Sequence, residues 1–121
     1  MSKKILIADD EQNIVISVEF LMKREGYAVS VAADGDEALA KIRADKPDLV
    51  LLDVMMPKKN GFEVCQEVRG DPALAEVRIL MLTARGRDTE VAKGLALGAD
   101  GYMTKPFSTR ELVEKVRELL G

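Results

Sequence analysis

Five short apolar stretches divide this sequence, and each is typical of a buried β-strand. The third stretch, Leu49–Leu52, has four branched apolar residues in a row, which is typical of a strand covered by helices on both faces. Between the stretches, apolar residues recur every three or four positions, as they do on one face of an α-helix. The other four predicted strands are Ile5–Ala8, Tyr27–Ala32, Val77–Leu82 and Gly101–Thr104.

Most of the predicted helices have recognisable starts and ends. Asp34 precedes Glu37 by three residues, as in a helix N-cap, and Gly26 is a natural residue to follow the end of the first helix. The same spacing predicts capping boxes at Asn60 with Glu63 and at Ser108 with Glu111. The predicted apolar faces are Ile14, Val18, Leu21 and Met22 in the first helix, Ala38, Leu39 and Ile42 in the second, Phe62, Cys65 and Val68 in the third, and Leu112, Val116, Leu119 and Leu120 in the fifth.

The fourth helix has the least regular pattern. Val91 and Leu95 are predicted on its inner face, with Ala92 as a third candidate, and Gly98 is predicted to end it. The fifth helix is better marked, since Phe107 and Leu112 are spaced for a hydrophobic staple across its start.

Strands that alternate with helices indicate an α/β domain with a parallel sheet and right-handed crossovers. Five strands suit the flavodoxin-like, doubly wound order 2-1-3-4-5, whose switch point lies between strands 1 and 3. No linker, repeat or low-complexity segment interrupts the pattern. We therefore predict one domain over residues 1–121, with five helices around the sheet.

Composition and charge narrow the classes of function. The net charge of −3 gives no reason to expect direct binding to nucleic acid or to a membrane, and the apolar run near the start is too short for a signal peptide or a membrane span. The single cysteine, Cys65, excludes an internal disulfide and fits a reducing, cytoplasmic location. Because the sequence has no histidine, Ser-His and Cys-His catalytic pairs and histidine-based metal sites are excluded.

Polar side chains stand at the carboxyl ends of four predicted strands. Asp9 and Asp10 follow strand 1, Asp53 follows strand 3, Thr83 follows strand 4 and Lys105 follows strand 5. Taken alone, Asp53 is better explained as a residue that only ends a strand or caps a loop, because Asp is a common turn residue. In a sheet of order 2-1-3-4-5, however, these ends share one edge, which is where ligands bind in open α/β sheets.

Three carboxylates in one crevice repel each other, and a hard divalent cation relieves that repulsion by taking oxygen ligands. Mg²⁺ fits this set best, with Mn²⁺ as an alternative, whereas zinc and copper favour nitrogen and sulfur ligands. Asp53, central in the group, is the natural nucleophile for forming an aspartyl phosphate. Lys105 would neutralise charge on the transferring phosphoryl group, and Thr83 would donate a hydrogen bond to it.

Over its whole length the chain resembles the receiver domains of two-component response regulators. Four motifs carry the resemblance: Asp9-Asp10-Glu11, Asp53-x-Met55-Met56-Pro57-x-x-Asn60-Gly61, Thr83-Ala84 and Lys105-Pro106-Phe107. The resemblance implies that Asp53 accepts a phosphoryl group from a sensor histidine kinase or a phosphotransfer protein. It also implies Mg²⁺ held by Asp10, Asp53 and the Met55 carbonyl, with Asp9 acting mainly through water. Lys105 would pair with the Asp53 carboxylate at rest and with the phosphoryl group afterwards, and the Lys105–Pro106 bond would be cis.

The resemblance further implies how a signal leaves the site. Thr83 would move toward the phosphoryl group, and Tyr102 would turn into the space it vacates, which changes the face made by helix 4, strand 5 and helix 5. That face would contact a downstream effector protein or output domain. Receivers of this kind assist their own phosphorylation and dephosphorylation without being enzymes in the usual sense, and Met55 and Arg85 stand where such proteins tune the lifetime of the phosphoryl group.

A phosphorylation-dependent homodimer is one further expectation. Many transcription-factor receivers dimerise through charge pairs on the same face. Lys93, Asp100, Glu111 and Lys115 stand at the corresponding positions, with Arg110 nearby. Gly101 occupies the place of a second acidic residue that often follows Asp100 in those receivers.

Three other classes of protein share some of these features but fit the sequence less well. A phosphohydrolase of the haloacid-dehalogenase type needs a second aspartate two residues after the nucleophile, where this chain has Met55. A flavodoxin-like flavin or nucleotide binder needs a loop rich in Ser, Thr or Gly after strand 1, where Asp9-Asp10-Glu11 would repel phosphate. A degenerate receiver that only docks partners is disfavoured by the complete acidic set and Lys105.

Overall fold

A computed structural model describes residues 2–84 and 88–120. Strands and helices alternate along the chain as predicted. Their bounds are β1 (Lys4–Ala8), α1 (Gln12–Arg24), β2 (Ala28–Ala32), α2 (Gly35–Asp45), β3 (Leu49–Asp53), α3 (Gly61–Arg69), β4 (Arg78–Ala84), α4 (Asp88–Ala96), β5 (Gly101–Lys105) and α5 (Thr109–Leu120), with a short 3₁₀ turn at Pro72–Leu74.

The strands form one parallel sheet in the order β2-β1-β3-β4-β5, which confirms the flavodoxin-like topology. β4 and β5 continue further than the apolar pattern predicted, because Thr83 pairs with Thr104 and Ala84 pairs with Lys105. Thr83 and Lys105 therefore belong to the paired residues of β4 and β5 and do not lie beyond the strand ends. Their backbones are held by the sheet, which limits where their side chains can reach.

Alternate residues of each strand face opposite sides of the sheet, and each side has its own apolar cluster. Leu6, Val50 and Leu52 face one side with residues of α2 and α3, and Ile5 and Leu51 face the other side with residues of α1 and α5. All five residues of β3 are buried, because this strand is covered on both faces. Among the described helices, none is long and apolar enough to cross a membrane.

The structure confirms the predicted N-terminal caps of α2, α3 and α5. The Glu63 N–H donates to the Asn60 side chain at 3.0 Å, and the Asn60 N–H donates to the Glu63 carboxylate at 3.1 Å. Ser108 and Glu111 make the same reciprocal pair at 3.1 and 3.3 Å. At the start of α2 the Asp34 carboxylate accepts from the Glu37 N–H at 2.8 Å. These bonds satisfy N–H groups that a helix cannot satisfy internally.

The predicted inner face of α4 is wrong. Leu95 is 44% exposed and Ala92 is exposed, while Val91 is only half-buried. The residue of α4 that is buried is Gly94, where a Cβ would come within 3.2 Å of the Met81 Cγ on β4. The helix approaches the sheet with its backbone at Gly94, and this close approach turns Leu95 toward solvent. Gly98 follows the helix with φ +106°, as predicted.

Candidate functional site

The carboxyl ends of β1, β3, β4 and β5 meet at one edge of the sheet and bring the predicted polar residues together. Asp9, Asp53 and Thr83 are buried polar residues, whereas the other large buried side chains in residues 2–84 and 88–120 are apolar. Asp10 is exposed beside them. Parallel strands oriented alike place their carboxyl ends on the same side, so this convergence follows from the topology.

One oxygen each of Asp9, Asp10 and Asp53 lies within 4.8 Å of the other two. Within the described residues, this is the group of acidic side chains close enough together to share an ion. Three carboxylate oxygens at this spacing, with no nitrogen or sulfur ligand among them, suit a hard cation such as Mg²⁺. The residues present therefore fit the metal that the sequence predicted.

Within the part of the chain that the structure describes, Lys105 is the cation of the site, and its ammonium contacts three carboxylates. Its ammonium lies 2.8 Å from Asp9, 3.1 Å from Glu11 and 3.5 Å from Asp53. Burial lowers the pKa of Lys105, but the hydrogen bond to Asp9 and the charges of Asp53 and Asp9 outweigh burial and raise it. Lys105 is therefore fully charged near neutral pH.

Sequence reasoning assigned no role to Glu11 and paired Lys105 with Asp53. In the structure Asp9 is the nearest partner of Lys105, and Asp9 also accepts a hydrogen bond of 2.9 Å from the Glu11 N–H. Glu11 belongs to the acidic run after strand 1, so the run itself was the signal. In the structure the Glu11 carboxylate contacts the Lys105 ammonium at 3.1 Å.

Asp53 has a strongly perturbed carboxyl. Burial and the nearby charge of Asp9 raise its pKa from 3.8 to about 7, against the opposing effects of Lys105 and of the Met55 N–H, which donates to Asp53 at 3.3 Å. Because Asp53 is buried beside the charged Asp9, its ionised form is costly even with the Lys105 ammonium 3.5 Å away. A bound divalent cation would favour the ionised form, which is the nucleophilic one.

This pKa predicts how the stability of the metal-free protein depends on pH. Below pH 3.8 Asp53 is protonated in both the folded and the unfolded chain. Between pH 3.8 and about 7 only the folded chain holds the proton, so the contribution of Asp53 to the free energy of unfolding falls as the pH rises. A shift from 3.8 to about 7 corresponds to about 4 kcal/mol. Asp53→Asn should remove this loss. The free energy of unfolding of the variant should therefore rise relative to that of wild type as the pH increases from 4 to 7.

Urea unfolding in a chelating buffer at several pH values measures this difference. The exposed Asp45→Asn variant is the matched control, because it removes one carboxylate outside the site. Adding Mg²⁺ should stabilise wild type and Asp45→Asn and have a much smaller effect on Asp53→Asn. A difference between wild type and Asp53→Asn that does not change with pH would contradict the prediction.

The backbone after Asp53 is held by a glycine. The Gly61 N–H donates to the Val54 carbonyl at 2.9 Å, which brings the start of α3 against the end of β3. A Cβ at Gly61 would lie 2.4 Å from the Asp53 carbonyl oxygen and 2.9 Å from the Val54 Cα. Only glycine fits such a close approach between two backbones. The Asn60-Gly61 pair therefore caps α3 and fixes the strand end that carries Asp53.

The residues predicted to carry the signal lie on neighbouring strands. The Thr83 hydroxyl donates a long hydrogen bond of 3.4 Å to the Met103 carbonyl on β5. Tyr102, the residue before Met103, is 44% exposed and belongs to β5, an edge strand of the sheet. Met55 is also exposed, two residues beyond Asp53. The Lys105–Pro106 bond is cis, as the family resemblance implied. Arg85 lies outside the described residues.

The residues predicted for a dimer interface are engaged within the chain in different ways. Asp100 accepts hydrogen bonds from Arg69 at 2.7 Å and from the Ile79 N–H at 2.8 Å. The Lys93 ammonium lies 4.6 Å from the centre of the Phe62 ring. Glu111 caps α5, and the Lys115 ammonium lies 3.8 Å from Glu118. Asp100 therefore has a structural role that the sequence analysis did not foresee.

Fold and site together define a doubly wound α/β domain with an acidic pocket and a lysine at the carboxyl edge of its sheet. The sequence model of the response regulator receiver domain matches residues 5–117. The chain therefore belongs to the response regulator receiver domain family of two-component systems, in which phosphorylation on aspartate and Mg²⁺ binding are general.

Individual relatives agree with this assignment. The chain is 49% identical over 120 residues to the alkaline phosphatase synthesis transcriptional regulatory protein PhoP of Bacillus subtilis, matching 99% of this chain and 49% of PhoP. It thus spans about half the length of that relative. Among solved structures, the chemotaxis response regulator CheY4 of Vibrio cholerae is 36% identical with a TM-score of 0.93, covering 99% of this chain and 100% of CheY4. The Francisella response regulator 1452 receiver domain is 32% identical with a TM-score of 0.90, covering 98% and 97%.

Proposed function

We propose that this chain is a phosphoacceptor in which Asp53 receives a phosphoryl group from a sensor histidine kinase or a phosphotransfer protein. The observation that carries the proposal is the surroundings of Asp53. Its carboxylate is 5% exposed at the tip of a buried strand, within 4.8 Å of two further carboxylates and 3.5 Å from Lys105. A structural turn residue needs none of these neighbours.

In the proposed reaction an oxygen of Asp53 attacks the phosphorus of the donor. A phosphorus–oxygen bond to Asp53 forms while the bond from phosphorus to the donor nitrogen breaks, and its electron pair stays on that nitrogen. The Lys105 ammonium faces the oxygens on which negative charge gathers during transfer. Because Lys105 is held by Asp9 and Glu11 as well, its position is set before the donor arrives.

Asp10 and Asp53 would hold Mg²⁺ or Mn²⁺, with the Met55 carbonyl as a further ligand and Asp9 acting through water. When bound, the ion supplies positive charge beside Asp53 and the phosphoryl oxygens. Burial keeps Asp9 and Asp53 in place for this role, and the exposure of Asp10 leaves room for water and for the donor.

After transfer, the Thr83 hydroxyl would exchange its long bond to the Met103 carbonyl for a phosphoryl oxygen. The hydrogen bond that it leaves is weak at 3.4 Å, so little is lost by the exchange. Tyr102 would then turn inward from its exposed position. The result is a two-state change in the α4–β5–α5 face, formed by residues 88–96, 101–105 and 109–120.

The changed face would act on a downstream effector protein or output domain, and the chain would work in the cytoplasm without direct contact to nucleic acid or membrane. The chain would assist its own phosphorylation and dephosphorylation and would not be an enzyme acting on other substrates. A phosphorylation-dependent homodimer through Lys93, Asp100, Glu111 and Lys115 stays a prediction, and the bonds that Asp100 already makes to Arg69 and Ile79 would compete with it.

Intact mass after incubation with acetyl phosphate and Mg²⁺ tests the proposed function. Wild type is expected to gain the mass of one phosphoryl group, because acetyl phosphate replaces the protein donor and the site supplies the remaining groups. Asp53→Asn and a sample with excess chelator should gain none. The exposed Asp45→Asn variant should gain as much as wild type.

Two results would contradict the proposal. One is a mass gain in Asp53→Asn equal to that of wild type, which would move the acceptor elsewhere. The other is that folded wild type gains no phosphoryl mass with acetyl phosphate and also gains none with a phosphorylated histidine phosphotransfer domain as donor.

A further inference from the structure

The loop that follows Asp53, residues 54–60, leaves the core and turns sharply before α3 begins. Its first part is anchored, because Val54 and Met56 are buried among the apolar residues that face α2 and α3. Further along, Lys58 is exposed and has φ +68°, a left-handed conformation that residues other than glycine rarely adopt. A bend of this kind persists only where neighbouring segments hold it.

The turn that starts α2 supplies this support. The Gly35 N–H donates to the Pro57 carbonyl at 3.3 Å. A Cβ at Gly35 would lie 2.0 Å from the Lys59 carbonyl oxygen and 2.6 Å from the Lys59 carbonyl carbon. The neighbouring Asp34 carboxylate lies 3.6 Å from the Lys58 ammonium. Three consecutive residues of the loop therefore contact the turn before α2.

The backbone conformation of Gly35 does not itself require glycine. Gly35 is the first residue of α2, and its φ is not positive. Glycine loses more conformational freedom on folding than any other residue, so it is an unfavourable choice within a helix. The close approach to Lys59 accounts for it, because only a residue without a Cβ lets the two backbones come this near.

We propose that Gly35 is a positioning residue for the metal site: it lets α2 close on the loop and so holds the Met55 carbonyl where a divalent cation can bind it. This inference rests on the proposed function, in which that carbonyl is a ligand beside Asp10 and Asp53. The carbonyl belongs to the backbone, so the path of the loop places it and no side-chain rotation can correct it. Contacts that fix the position of a ligand commonly set the affinity for a metal.

An NMR titration with MgCl₂ alone measures the dissociation constant of the ion for wild type, Gly35→Ala and Ile42→Val. The methyl group added in Gly35→Ala must move the Lys59 backbone or the start of α2, so this variant is expected to bind Mg²⁺ roughly tenfold more weakly. Ile42→Val is the control, because it loosens the core packing of the same helix at a fully buried residue and leaves the turn unchanged. Its affinity for Mg²⁺ should equal that of wild type.

A second measurement uses wild type alone and does not depend on how well a variant folds. Coupling between two sites is reciprocal, so if closure of α2 on the loop favours the metal, the metal must favour that closure. Saturating MgCl₂ should therefore slow hydrogen exchange of the Gly35 amide about fivefold or more. The Gly26 amide, which donates to the Lys23 carbonyl at 3.0 Å beyond the end of α1, is the control and should keep its exchange rate.

The proposal is overturned if Gly35→Ala binds Mg²⁺ as tightly as wild type, or if Ile42→Val loses as much affinity as Gly35→Ala. It is also overturned if Mg²⁺ slows exchange at Gly35 no more than at Gly26, and this result decides alone if Gly35→Ala does not fold.

These outcomes are distinct from a failure of the proposed function. Mg²⁺ binding and a normal phosphoryl gain by wild type, with unchanged Mg²⁺ affinity in Gly35→Ala, remove the role of Gly35 alone. Absence of Mg²⁺ binding by wild type removes the metal from the proposed function, and this inference with it.

Discussion

Replacing Lys105 with methionine is expected to slow phosphoryl transfer to Asp53 by roughly a hundredfold, the usual effect of removing one preorganised charged group from a reacting centre. Methionine keeps much of the apolar stem and removes the ammonium. Among the described residues, this ammonium is the cation within ion-pairing distance of Asp53, and it also balances Asp9 and Glu11. The initial rate of phosphoryl gain from acetyl phosphate, followed by intact mass, measures the effect.

Lys23→Met is the matched control, because Lys23 is an exposed residue of α1 whose carboxylate partner, Glu19, lies on the same helix. Its rate should equal that of wild type. Circular dichroism of both variants checks that they fold. A rate for Lys105→Met within about threefold of wild type, a change worth less than 1 kcal/mol, would show that the ammonium takes no part in transfer.

Gly61→Ala is expected to destabilise the protein by about 3 kcal/mol, which is at the upper end of the cost of overpacking. The added methyl group would lie 2.4 Å from the Asp53 carbonyl oxygen, and the nearby Val54 Cα is also backbone, so no flexible side chain can move aside. The end of β3 or the start of α3 must shift, and Asp53 shifts with it. Urea unfolding measures the cost, and the phosphoryl gain should fall as well.

Gly70→Ala provides the control for Gly61→Ala. Gly70 follows α3 with φ −81°, and the nearest atom to its added methyl group is 3.4 Å away. Alanine should therefore be neutral or slightly stabilising there, since it lowers the entropy of the unfolded chain. Equal stability of the Gly61→Ala and Gly70→Ala variants would contradict the argument.

The fold was predictable from the sequence because its signals are local. The unbroken apolar run at Leu49–Leu52 identified a strand buried on both faces, and the spacing of Asn60 and Glu63 identified a helix start. The order of the strands followed from the rules for parallel sheets. The inner face of α4 was missed because the decisive residue is Gly94, which has no side chain to enter an apolar pattern.

The residues that make up the site were also predictable from the sequence, but the ion pairs among them were not. The alternation of strands and helices places Asp9, Asp53, Thr83 and Lys105 at one edge, whatever the details of packing. Which carboxylate Lys105 contacts depends on the distance between Lys105 and Asp9, which are 96 positions apart in the chain. No spacing in the sequence encodes that distance.

The sequence by itself therefore determined the order of elements, the helix caps and the set of polar residues at the sheet edge, because each of these depends on neighbours along the chain. Only the tertiary structure decided that Lys105 lies closest to Asp9, that Glu11 joins them, that Gly61 presses against the Asp53 backbone, and that Asp100 is bonded to Arg69. These features depend on the distances between packed segments. Side-chain volumes and close backbone contacts across the whole domain set those distances.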